Sequence, residues 1–207
     1  MSTVLAIDTA SAEIALALAV DGEVIGSSVV SGGHDHSRLL LPAIASLLGA
    51  RRNLLTAIAV VRGPGNYAGL RVGVATAKGL AIAHGVPIRG ISTMEAVARA
   101  LDRPEVTVTV IHPAGRKEFA VQEFHGSEAS GVLFALPADR VSGPSLAGEG
   151  AEVLGGTEVS PEQRVRAALR TLIPAFNAPL GADLVDAIYL REPNITVPRH
   201  PLNARAG

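Results

Sequence analysis

The sequence predicts an α/β protein of two lobes, a mixed sheet flanked by helices followed by a second, smaller lobe. Three observations carry that expectation. Between Thr3 and Val30 lie three short apolar runs separated by turn residues, the pattern of consecutive antiparallel strands. From Val60 to His84 the chain reads VVRGPGNYAGLRVGVATAKGLAIAH, where an apolar run is stopped by Gly63-Pro64-Gly65 and helical spacing follows at once, giving strand, tight turn and helix. Beyond Asp102-Arg103-Pro104 a strand and hairpin pattern starts again and closes with a capped helix.

Each element has its own local reason. Thr3 to Ile7 is a β-branched and aliphatic run, Asp8-Thr9-Ala10-Ser11 is a turn, and Glu13 to Val20 is joined through Asp21-Gly22 to Glu23 to Val30. After a loop from Ser31 to Asp35, Ser37 to Leu48 is a helix with Leu40, Ile44, Leu47 and Leu48 on one side and Gly49 as its stop. The strand Ala57 to Val61 and the long helix follow, the helix ending at Gly85 with Pro87 beyond. This βββαβα order is the half-domain of the ribonuclease H and actin-like ATPase architecture. Pro87 to Ile91 is a short strand, and Ser92-Thr93-Met94-Glu95 is a capping box opening a helix through Leu101.

Asp102-Arg103-Pro104 is the expected boundary, placing residues 1–104 in the N-terminal lobe and 105–193 in the smaller one. Val106 to Ile111 and Glu118 to Phe124 form a hairpin around Pro113 to Gly115. The Gly-, Ser-, Ala- and Pro-rich stretch from Gly126 to Gly156 holds short strands, such as Val132 to Leu136, in an order that the sequence leaves open. Ser160-Pro161-Glu162-Gln163 is a second capping box with proline at the first helical position, and its helix runs to about Ile173. Residues 194–207 read as a flexible tail.

Composition excludes several functions. Of 207 residues, 48% are hydrophobic and 18% charged, so much apolar surface must be buried or shared with a partner. The apolar runs are strand-sized and no basic, apolar leader precedes them, which points to a cytoplasmic protein with no membrane role. The absence of cysteine removes disulfides, thiolate nucleophiles and Cys-based zinc sites. A net charge of −1 with no Trp, two Tyr and four Phe disfavours RNA binding as the main role of the chain alone.

Gly69, Gly73, Ala77 and Ala81 fall four apart on the long helix and leave a smooth stripe that asks for a close neighbour. Asp8 and Thr9 at the end of the first strand, with Gly63 and Gly65 at a helix start, are the candidate nucleotide or phosphate residues, because unpaired N–H groups and the helix dipole favour anions there. Gly63-x-Gly65-x-x-x-Gly69 is one residue too long for the dinucleotide fingerprint, and no P-loop lysine follows. His34-x-His36 lacks the spacing of a helical metal pair, so no metal site is expected. Gly143-Pro144-Ser145-Leu146-Ala147-Gly148 misses the nucleophile elbow by one residue, which leaves no catalytic residue to name. Arg71 and Lys78 are the polar side of the long helix.

Five segments in order, VLAIDTASAEIALAL, HSRLLLPAIASLL, RGPGNYAGLRVGVATAKGLA, GISTMEAVA and YLREP, resemble the TsaB family, also called YeaZ. The resemblance is specific through Leu101. It implies a bacterial member of the actin-like ATPase superfamily with a degenerate second lobe, required for threonylcarbamoyladenosine formation on tRNA at the adenosine beside the anticodon. It further implies a non-catalytic paralogue that pairs with the catalytic TsaD subunit, or with a second copy of itself when alone, through the helices at Ser37 to Leu48 and Gly69 to His84. The interface residues so implied are Leu40, Ile44, Leu47, Gly69, Leu70, Gly73, Ala77 and Leu80. ATP and Mg²⁺ belong to the partner subunit, a TsaE-like ATPase joins the complex, and tRNA is met indirectly. Two departures stand out: the family's GPGSFTG turn is GPGNYAG here, and its Ile-Asp-Ala-Arg strand end is replaced by Ile111-His112-Pro113-Ala114-Gly115. Alternative readings are a nucleotide-binding or ATP-hydrolysing enzyme built on Asp8 and the glycine loop, or a peptidase.

Overall fold

The computed structural model describes residues 2–115, 117–174 and 185–190. Strands β1 (Thr3–Asp8), β2 (Glu13–Val20) and β3 (Glu23–Ser31) run antiparallel, and β4 (Ala57–Val61) and β5 (Ile88–Ile91) extend the sheet in parallel on the far side of β1. The order is β3-β2-β1-β4-β5. Ile7 stands opposite Leu16 on one side and Val60 on the other, as the βββαβα reading requires.

The central strands are buried on both faces, and their two faces differ in size. Leu5, Ile7, Leu16, Leu18, Ile58 and Val60 pack on one face with Leu40, Ile44 and Leu48 of α1 (His36–Leu48) and Val74, Ala77 and Ala81 of α2 (Tyr67–His84). The other face is largely alanine: Ala6, Ala15, Ala17, Ala19 and Ala59. Side chains this short let a helix axis come close to the sheet, and α4 (Pro161–Leu172) lies there through Val165, Ala168, Leu169 and Leu172. α2 begins at Asn66, whose side chain accepts the Gly69 N–H at 3.0 Å, and ends on Gly85 in the left-handed region at φ 63°. Ser160 and Gln163 form the reciprocal cap of α4, with Pro161 at its first position.

In the second sheet, β6 (Thr107–Pro113) and β7 (Glu118–His125) form the expected hairpin; β8 (Glu128–Ala129) and β9 (Phe134–Pro137) pair with β7, and β10 (Ala147–Gly148) and β11 (Thr157–Glu158) continue beyond β6. Among the described residues no helix is long and apolar enough to cross a membrane.

The sheet changes near 104/105, and α3 (Thr93–Leu101) and α4 each pack across that point. α3, placed by sequence in the first lobe, buries Met94, Val97 and Ala98 against Val108, Val110, Ala120 and Phe124 of the second sheet. α4, placed in the second, completes the core of the first. The two helices cross between the sheets because each carries an apolar stripe that fits the opposite sheet, a match made in space and not along the chain. Residues 185–190 also return to the first lobe, where the Ile188 N–H donates to the Arg62 carbonyl at 2.6 Å. The expected tail at 194–207 lies outside the described residues.

Candidate functional site

Where the two sheets meet, the Asp8–Ser11 turn that ends β1 faces the end of β6, the loop after β10 and the first turns of α4. Asp8 is 1% exposed and both its oxygens are engaged: Oδ1 accepts the Ala10 N–H at 2.9 Å, and Oδ2 accepts Nε of Arg164 at 2.6 Å. Arg164, fully buried, donates through Nη1 to Oε2 of Glu149 at 2.9 Å and through Nη2 to the Ser11 hydroxyl at 2.6 Å. The Ser11 hydroxyl in turn donates to Oε2 of Glu149. His112 stands beside them, its Nε2 donating to the Ala10 carbonyl at 3.2 Å and its Nδ1 3.8 Å from Oε2 of Glu149. Because a carbonyl only accepts, the bond to Ala10 assigns the proton of the neutral ring to Nε2.

This constellation fixes what the site can do. The carboxylate expected to approach metal and phosphate is matched instead by an internal guanidinium, so Asp8 does not fit a nucleotide-bound cation in this arrangement. Among the described residues no three His, Asp or Glu side chains gather as metal ligands. Serine, histidine and glutamate do come together, but His112 is bonded to the Ala10 backbone and not to Ser11, and the Glu149 carboxylate to which the Ser11 hydroxyl donates a hydrogen bond is already paired with Arg164.

The glycine loop lies against the same turn. Asn66 N–H donates to the Ala10 carbonyl at 2.7 Å, Thr93 N–H to the Gly63 carbonyl at 2.8 Å, and a Cβ at Gly65 would collide with the Ala10 backbone. The structure seats Gly65 and Asn66 on the Ala10 backbone, two residues from Asp8, with the facing surfaces filled by the chain itself, while Gly63 packs against Leu70 and the Ile188 carbonyl. Two donors a phosphate would use, the N–H groups of Asn66 and Gly69, already have protein acceptors.

The expected interface residues also turn inward. Leu40, Ile44 and Leu70 are 1%, 3% and 0% exposed, and Gly69, Gly73 and Ala77 are buried; only Leu47 and Leu80 are half-buried. The Gly/Ala stripe does have the close neighbour it asked for, but within the chain: a Cβ on Gly69 would meet the Thr9 carbonyl, and one on Gly73 the Thr9 hydroxyl. The outer side of α2 instead presents Ala68, Arg71, Ala75, Gly79, Ile82 and Ala83, with Leu41 of α1 exposed as well. The histidine pair separates: His34 is exposed, and His36 is buried with Nε2 3.2 Å from the Ser11 carbonyl. Lys78 pairs with Asp186 at 2.7 Å, and Arg71 bonds the Tyr67 hydroxyl at 3.1 Å beside the packed Tyr67 and Tyr189 rings.

Sequence reasoning missed Arg164 and Glu149. Arg164 had a signal: 164, 168 and 172 lie on one side of α4 with Val165 and Leu169, so a charge interrupts an apolar stripe. Glu149, in a glycine-rich loop, had none.

Acid should loosen this cluster. Burial pushes the His112 imidazole down from 6.5 to about 4, and the Arg164 charge adds to it, against the opposing pull of Glu149, the Ala10 carbonyl and Asp8. A histidine depressed in the fold binds its proton more readily when unfolded. Its contribution is therefore complete above pH 6.5 and is lost as pH falls towards 4, on the order of 2–3 kcal/mol over that window. Burial opposes the charge of Glu149 as well, yet His112, Arg164 and the Ser11 hydroxyl outweigh it and hold that carboxyl below its usual range. Urea unfolding at a series of pH values should show stability falling from pH 6.5 to 4, with a shallower fall for His112→Asn. Equal slopes would remove His112 as the titrating group.

Comparison with known proteins gives the following. A family model described as TsaD, tRNA N6-adenosine threonylcarbamoyltransferase, matches residues 29–132. The tRNA threonylcarbamoyladenosine biosynthesis protein TsaB of Bacillus subtilis is 37% identical over 99 residues, which cover 46% of this chain and 43% of that protein, less than half its length. An uncharacterized protein of Mycobacterium tuberculosis is 31% identical over 94% of both chains. The solved structure of YeaZ from Pseudomonas aeruginosa superposes with a TM-score of 0.73 at 24% identity, covering 92% of this chain and all of that one, and so has the same fold.

Proposed function

Since the chain belongs to the TsaB (YeaZ) family of the actin-like ATPase superfamily, we propose that it is the non-catalytic subunit that pairs with a TsaD-type protein to form threonylcarbamoyladenosine on tRNA. The observation that carries the non-catalytic part is Arg164. A guanidinium bonded to Asp8, Ser11 and Glu149 takes up the carboxylate on which a nucleotide enzyme of this fold would be built. ATP and Mg²⁺ then act on the partner, a TsaE-like ATPase completes the assembly, tRNA is bound by the assembled complex and not by the chain alone, and the free chain pairs with itself.

The outer face of α2 supports the pairing part. Gly79 has nothing within 4 Å of where a Cβ would stand, and Ile82 is 82% exposed. A glycine in an exposed helix interior costs about 1 kcal/mol relative to alanine, so the chain's own stability does not account for it, while a partner helix approaching over Ala75, Gly79 and Ala83 does.

Gly79→Glu tests this reading in a reconstituted system with a TsaD-type partner. The variant should melt no lower than the parent, lose at least roughly tenfold in association by solution mass measurements, and lose tRNA threonylcarbamoylation with it. A stable variant that still pairs and still supports modification would reject this face as the interface. Phosphate release from Mg-ATP by the chain alone, abolished in Asp8→Ala, would show it to be an enzyme.

A further inference from the structure

On the alanine-lined side of the first sheet, the crossing of α3 and α4 leaves a groove of about 520 Å³. One wall is the end of α3 with the turn after it, the other is α4, and the β7–β8 turn at Gly126 and Ser127 closes one end. Four arginines line it, Arg99 and Arg103 from the first wall and Arg166 and Arg170 from the second. Arg166 and Arg170 lie four apart on α4, a spacing at which like charges repel along a helix, while Arg103 follows the left-handed turn at Asp102 that ends α3. Among the described residues Asp102 is the one acidic residue in the lining.

This positive focus does not follow from general basicity, because the chain as a whole has a net charge of −1. Two of the charges are balanced nearby: Arg99 bonds Glu95 at 2.9 Å, and Arg166 bonds the Ser27 hydroxyl at 3.2 Å and Glu162 at 3.4 Å. The side chains of Arg103 and Arg170 are exposed and have no hydrogen-bond or ion-pair partner among the described residues. Between the arginines the surface is small: Ala98, Ala100 and Ala167 keep the groove open, and among the described residues no aromatic or large aliphatic side chain lines it.

We propose that this groove holds the phosphodiester backbone of the tRNA on which the complex acts, an inference that rests on the function proposed above. Guanidinium forks match phosphate oxygens bidentately, and an arginine groove without stacking aromatics positions a backbone and does not read bases. An acidic segment of a partner protein fits less well, because protein interfaces centre on large apolar and aromatic anchors and this lining has none.

The test uses the full chain assembled with its TsaD-type partner and a labelled, unmodified tRNA transcript, titrated at salt concentrations from about 50 to 200 mM. Arg103→Gln with Arg170→Gln should raise the Kd roughly tenfold and reduce the slope of log Kd against log salt by about 1–2, one unit for each phosphate no longer neutralised. The lysine pair Arg103→Lys with Arg170→Lys should keep the salt slope. Arg51→Gln with Arg52→Gln, after α1 on the opposite face of the sheet, should leave both quantities unchanged. Modification by the glutamine pair should recover at saturating tRNA, a KM effect with kcat kept.

Unchanged tRNA affinity and slope in a complex that modifies tRNA would overturn the proposal and leave the function standing. Loss of assembly with the partner, seen by mass in solution while tRNA affinity of the remaining complex is unaltered, would make the groove a protein contact and overturn it. Pyrophosphate that binds the parent but not the glutamine pair, with tRNA binding the same in both, would reassign the groove to small phosphates. A parent complex that neither binds nor modifies tRNA would refute the proposed function and this inference with it.

Discussion

Arg164→Met is expected to lower the stability of the fold by about 3–5 kcal/mol, the usual effect of removing one partner from a buried ion pair. Methionine fills much of the volume, so the loss is electrostatic. Asp8, 1% exposed, would keep only the Ala10 N–H, and Glu149 would keep Ser11 and a neutral His112 3.8 Å away. In a chain of this size the melting temperature should fall by roughly 6–20 °C. The control is the same substitution with Asp8→Asn and Glu149→Gln, which removes the stranded charges and should recover a large part of the loss. A single variant as stable as the parent would mean that water reaches the cluster and that Arg164 does not neutralise it from within.

Gly73→Leu should have a comparable effect for a different reason. The Cβ alone would lie inside van der Waals contact of the Thr9 hydroxyl, and Thr9 is fully buried at the end of β1 with its Oγ1 unbonded, so there is nowhere for it to yield. Overpacking of this kind costs about 3 kcal/mol or more, against a gain of up to about 1 kcal/mol in helix propensity. The melting temperature should fall by at least roughly 4–8 °C. Gly79→Ala, six residues further along the same helix where nothing stands within 4 Å, should move it up by the propensity gain alone. Opposite signs at two glycines of one helix separate the inward side from the outward one. A stable Gly73→Leu chain would return the Gly69–Gly73–Ala77 side to the surface.

The elements themselves were legible because their causes are local. Asp21-Gly22 between two apolar runs makes a hairpin, the Gly63-Pro64-Gly65 turn and Gly85 bound α2, and Ser160 with Gln163 caps α4; each acts within a few residues, so the sequence predicts the strand and helix order closely. The Asp8 turn and the glycine loop were also found, as turn chemistry at fixed offsets, and the structure does set them side by side.

What the helices cover was not legible in the same way. Periodicity says that Gly69, Gly73 and Ala77 share a side and that Val165, Ala168 and Leu169 share another, but an apolar or smooth side does not carry the identity of its neighbour. That identity was decided by complementary shape across the chain: alanines on one face of the first sheet admit α4, bulky residues on the other receive α1 and α2, and Thr9 fills the gap over Gly73. The same holds for the charge at the centre. By itself the sequence determined that a carboxylate ends the first strand at Asp8; only the tertiary structure decided that Arg164, 156 residues away, would be its counterion, because a buried charge is stable only beside an opposite one and proximity in space is set by the packing of α4, not by any spacing along the chain.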